Sequence, residues 1–168
     1  MRLMTICAGF ILFVAAGAFA NAAGPTDQLC PSAVPSLNVL YDTPQSDLAK
    51  VTDAARNVAA AYDACATTAR SNADVEPRAH YDHTRYAQYV VLVGRALAGQ
   101  QKFTEARAAF TDARKTCADV VDYISPNRLD YGRPSRYHDA CVEIRDAAIK
   151  ELAALSASPA PEPAPTHT

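Results

Sequence analysis

The sequence predicts an all-helical domain, a four-helix antiparallel array stapled by two disulfides. Three observations lead there. Apolar residues recur at alternating steps of three and four through four long segments, the period of a helix with one buried face. No alternating apolar–polar run bounded by hairpin turns suggests a strand. Finally, Cys30, Cys65, Cys117 and Cys141 make an even set in a chain that opens like an exported protein, and such sets pair as disulfides.

The export signal is read from residues 1–20. Met1 and Arg2 give a positive start, Leu3 to Val14 are nearly all apolar, and small residues lead to Ala18-Phe19-Ala20. That order fits a secretory peptide cut after Ala20, with Ala22 the other candidate position. The apolar run is short of the roughly 20 residues that span a bilayer, so no membrane span is expected once the signal is removed. About 148 residues would remain, enough for one domain with its own core. The expected location is periplasmic or secreted.

Residues 21–42 read as irregular, because Pro25, Pro31 and Pro35 deny them a continuous helix. The helical domain is expected over 43–155. Its first helix runs from Pro44 to Arg70, with Thr43 as cap and Leu48, Val51, Ala55, Val58, Tyr62, Cys65 and Ala69 as its inner stripe. The second, from Pro77 to Ala98, carries Tyr86, Tyr89, Val90, Val91, Leu92, Val93 and Leu97 around most of its circumference, as suits a helix covered on several sides. The third, from Thr104 to Tyr123, buries Ala106, Phe110, Ala113, Cys117 and Val120. A loop broken by Pro126, Gly132 and Pro134 leads to the fourth, Ser135 to Leu155, with Tyr137, Cys141, Ile144, Ala148 and Leu152 inward. Residues 156–168 form a Pro/Ala-rich tail with nothing to bury, expected to be disordered or extended.

Antiparallel placement lets Cys117, about two turns before the end of its helix, face Cys141, about two turns into the next. Cys30 then ties the N-terminal segment to Cys65. Pairing Cys65 with Cys117 or with Cys141 stays open on the sequence alone. Each bridge would contribute about 3 to 4 kcal/mol through loop closure, less any native strain.

Residues 87–120 resemble one tetratricopeptide repeat, a helix-turn-helix unit of about 34 residues. The match rests on Val93-Gly94, Leu97, Phe103, Ala106, Phe110 and Ala113: a glycine and two alanines where the helices cross, and two phenylalanines beside them. Val90 stands where the family has Trp, Leu97 where it has Tyr, and Ala118 where Pro is common. The match covers about a fifth of the chain, with no second copy at the same period. The resemblance implies a protein-binding scaffold without catalytic chemistry.

The same antiparallel rule gathers polar and aromatic residues at one end of the array. Tyr81, Arg85, Tyr131, Arg133 and Tyr137 make it rich in the residue types that favour protein interfaces. His80 and His83 share a helix face there, and with His138 they are the candidate metal ligands. No nucleophile elbow, Gly-rich phosphate loop or paired-carboxylate motif accompanies them, so no enzyme and no cofactor is expected. A formal charge of -2 supplies no basic excess for nucleic acid. The expectation is a non-enzymatic interaction module whose partner is another envelope protein. A metal- or small-ligand-binding protein using the three histidines is the other class.

Overall fold

The computed structural model describes residues 29–70, 76–123, 129–130, 133–134 and 136–157. The expectations for the signal peptide, its cleavage site, the Ser135 cap, Tyr131 and most of the tail lie outside these residues. Among them the chain is helical apart from one two-residue antiparallel pairing. A 3-10 turn, Pro31–Ala33, leads into α1 (Val34–Asp42). There follow α2 (Leu48–Arg70), α3 (Glu76–Gly99), α4 (Phe103–Tyr123) and α5 (Arg136–Ala157).

Among the described residues five helices replace the expected four, because α1 occupies part of the stretch expected to be irregular. Its prolines sit where a helix tolerates them. Pro31 opens the 3-10 turn and Pro35 lies in the first turn of α1, where the missing N–H has no acceptor to lose. Leu37 and Leu40, three residues apart, are buried by packing on α2. Thr43 ends α1 rather than starting the next helix: its hydroxyl donates to the Val39 carbonyl at 2.7 Å. The cap of α2 is Asp47, which accepts the Lys50 backbone N–H at 3.2 Å. The lysine head group also pairs with Asp47 at 2.8 Å.

The long helices bury most of the expected stripes, with Leu48, Cys65, Tyr137, Ile144 and Leu152 half-buried. Val51, Ala55, Val58 and Tyr62 of α2 are fully or almost fully buried, as are Ala106, Phe110, Ala113 and Cys117 of α4 and Cys141 and Ala148 of α5. The apolar circumference of α3 is accounted for by its neighbours, since α3 packs against α2, α4 and α5. α2 lies on one side of it, with α4 and α5 on another. At the far end from the tyrosines, α5 is fastened by two arginines: Arg95 of α3 meets Glu151 at 2.8 Å, and Arg107 of α4 donates to the Leu155 carbonyl at 2.6 Å.

The turn from α3 to α4 is made by residues 99–102. Gln101 takes a left-handed φ of 62°, and the Lys102 N–H returns to the Leu97 carbonyl at 2.9 Å, closing the C-terminus of α3. The Gln100 amide reaches back to the Leu48 carbonyl and the Thr52 hydroxyl, at 3.0 and 2.8 Å, and pins this turn to the start of α2.

The expectation of no strand needs one correction. Leu129–Asp130 pairs antiparallel with Arg133–Pro134, Asp130 opposite Arg133. Two residues are too few for alternation to show in a sequence. The signal available was Gly132 in a two-residue connection, a hairpin cue.

Among the described residues one disulfide is present. Cys30 of the N-terminal turn is bonded to Cys65 of α2, with Cα atoms 6.0 Å apart. Cys117 and Cys141 are brought face to face by α4 and α5 but stand as two thiols, both fully buried.

Candidate functional site

Helix ends do meet where the antiparallel rule places them. The His80 ring lies 4.8 Å from Tyr123 at the end of α4, and Tyr81 lies 5.7 Å from Tyr137 at the start of α5. The side chains turn inward, however. Tyr62 of α2 and Tyr89 of α3 stack in parallel at 5.8 Å, and Tyr81 meets Tyr62 edge-on at 6.4 Å. The Arg85 guanidinium sits among all three rings, 5.6 Å from Tyr62 and Tyr89 and 6.0 Å from Tyr81. Its Nη1 donates to Gln88 at 3.0 Å.

Burial opposes the charge on Arg85, but Tyr89, Tyr62 and Tyr81 outweigh it and hold the guanidinium protonated well above its ordinary range. A cation enclosed by aromatic faces contributes on the order of 1 to 2 kcal/mol when desolvated. Tyr81, Arg85 and Tyr137 are therefore joined to the core beneath them. The side chains of Tyr131 and Arg133 lie outside the described residues.

The three histidines are not gathered. Among the described residues no group of three or more His, Cys, Asp or Glu side chains converges on a point that could hold a metal ion. His80 stacks on Tyr123, and His138 Nδ1 lies 3.1 Å from Asp139.

Cys117 and Cys141 meet at the centre of the α3–α4–α5 packing. Their sulfurs are 2.6 Å apart, and the Thr84 hydroxyl of α3 lies 3.5 Å from the Cys141 sulfur. The contact with Cys141 and, next, burial both raise the Cys117 pKa, so this thiol stays protonated.

A surface cleft lies elsewhere among the described residues. α2 and α3 line a groove of about 290 Å³, with α4 beside it. Val90 and Val93 of α3 make the floor with Ala59 and Ala60 of α2, whose small side chains keep it open. Tyr86 stands at one side and donates to Asp112 of α4 at 2.6 Å. Arg56 of α2 reaches across to Glu105 of α4 at 3.3 Å, with Asp53 at 3.9 Å behind it. Asp63 completes the rim on α2.

Sequence reasoning did not single out these residues as a site. Asp53, Arg56, Ala60 and Asp63 recur at helical spacing, but on the face of α2 that reads as ordinary solvent-exposed surface. What makes Arg56, Ala60 and Asp63 a wall is the packing of α2 on α3, and that is a tertiary fact. No protein-family model, no curated protein and no solved structure matches the chain.

Proposed function

We propose that the chain is an exported, non-enzymatic protein-interaction module of the cell envelope. The observation that carries this reading is the groove above α3: an open cleft with an apolar floor and a charged rim, shaped to take part of another chain. It lies on the helices whose crossing supports the tetratricopeptide resemblance. A Cβ on Gly94 would stand 2.6 Å from the buried Phe110 ring, and Ala106 and Ala113 are fully buried where the helices approach. The Cys30–Cys65 bridge favours an oxidising compartment, in keeping with residues 1–20 as a cleaved signal.

The apposed Cys117 and Cys141 sulfurs support a second staple joining α4 to α5 in the exported protein. A single repeat-like hairpin lacks the neighbours that cover its faces in a long array, and cross-links offset that loss. Intact mass and non-reducing peptide mapping of the exported protein test both points together. The expected result is a chain starting after Ala20 or Ala22 with Cys30–Cys65 and Cys117–Cys141 peptides. A mature chain that retains Leu3 to Val14, or free thiols at 117 and 141, would refute the corresponding point.

The function is tested by affinity capture from envelope extract. The wild type is run beside Ala60→Trp, which fills the groove from an exposed position, and beside Tyr131→Ala/Arg133→Ala. A specific partner lost only with Ala60→Trp supports the groove. Loss only with the loop variant moves the interface to the segment between α4 and α5. No partner, together with stoichiometric zinc or copper in the purified protein, would favour the ligand-binding class instead.

A further inference from the structure

The groove is chemically one-sided, and its sign says what it would accept. One carboxylate, Asp63, and one cation, Arg56, line it, and three more carboxylates contact its lining: Asp53 and Glu105 at Arg56, and Asp112 at Tyr86. Arg56 is already shared between Asp53 and Glu105. Asp112 accepts the Tyr86 hydroxyl, which leaves its charge in place, and neither Asp112 nor Asp63 forms an ion pair with a described residue. Both carboxylates lie by Tyr86, and the lining continues from there as apolar floor: Ala59, Val90 and Val93 are buried, while Ala60 is exposed. An apolar strip beside two carboxylates without ion-pair partners matches a segment with the converse pattern.

We propose that the α2–α3 groove binds a cationic amphipathic peptide segment of a partner protein, seating an aliphatic side chain over Val90 and Val93 and directing Lys or Arg toward Asp63 and Asp112. This rests on the interaction-module reading and adds the chemistry of the partner to it. Helix-in-groove recognition works this way: apolar anchors supply the affinity, and rim charges select the partner and speed its approach. The chain's own tail is a poor occupant, because residues 158–168 carry Glu162 and no Lys or Arg.

The test uses the full exported chain and a short fluorescent helical peptide of Lys, Leu and Ala, with Leu on one face and Lys on the other. Two control peptides carry the same register, one with Ser for Leu and one with Glu for Lys. Ala60→Trp blocks the floor sterically, Asp63→Lys reverses the rim, and Asp146→Lys makes the same charge change on α5, away from the groove. The Lys/Leu peptide should bind the wild type and weaken about ten-fold or more with Ala60→Trp and with Asp63→Lys. It should bind Asp146→Lys as it binds the wild type. Both control peptides should bind at least about ten-fold more weakly than the Lys/Leu peptide.

Equal losses with Asp63→Lys and Asp146→Lys would reduce the effect to general charge attraction and overturn the proposal. So would undiminished binding to Ala60→Trp, or equal binding of the Glu/Leu peptide. A wild-type dimer that Ala60→Trp converts to monomer would give the groove to a second copy of this chain and overturn it as well. Should the Lys/Leu peptide fail to bind while Ala60→Trp still loses its envelope partner, the partner chemistry is wrong and the interaction module stands.

Discussion

Tyr86 sits where the core of the α3–α4 hairpin meets the groove, and its ionisation reports that position. Burial raises its pKa first, and the bond to Asp112 with the nearby Asp63 charge raises it further. The folded chain thus holds this phenolic proton more tightly than the unfolded chain, where the phenol titrates near its ordinary value of about 10. The stability linked to it is fully present below that value and is lost as pH rises from there through the higher folded value. In an alkaline ultraviolet titration of the folded protein, a late-ionising phenol should disappear in Tyr86→Phe and ionise earlier in Asp112→Asn. A Tyr86→Phe titration identical in shape to the wild type would show that the hydroxyl is freely solvated. Arg85 makes the complementary point. Its type and helix position are plain from the sequence, but the three rings that enclose it come from two helices, so its inward turn was not.

At the scale of elements, the α3–α4 crossing depends on Gly94. A side chain there meets the Phe110 ring at Cε1, Cδ1 and Cζ, all within 2.9 Å, and Phe110 is fully buried with nowhere to retreat. Gly94→Leu should therefore destabilise the fold by roughly 1 to 3 kcal/mol or more through overpacking, read as a lower midpoint in denaturant. An unchanged midpoint would mean that the two helices do not cross closely at Gly94. The crossing was legible because glycine, alanine and phenylalanine recur at helical spacing, and periodicity along one segment survives whatever packs against it. α1 was not legible for a converse reason. Three prolines in a short stretch signal breakage, and only the placement of Pro31 and Pro35 in first turns reveals that a helix begins there. Thr43 misled in a similar way, since a hydroxyl next to proline fits either helix end, and the contact that decides it is the Val39 carbonyl.

At the scale of the whole molecule, antiparallel neighbours bring the helix ends together, and that rule rests on short connections alone. It therefore foresaw that Tyr81 and Tyr137 would meet and that Cys117 would face Cys141. It could not foresee which end-residues turn inward, because that depends on ring packing among α2, α3 and α5. Nor could it foresee the groove, whose lining is contributed by α2 and α3. The central claim is that a partner seats there. It is tested most directly by photo-crosslinking in intact cells, with benzoylphenylalanine replacing Ala60 in the groove or Ile149, which is exposed on the outer side of α5. The account predicts a discrete adduct from position 60 and none from position 149. An adduct from position 149 with none from position 60 would contradict it.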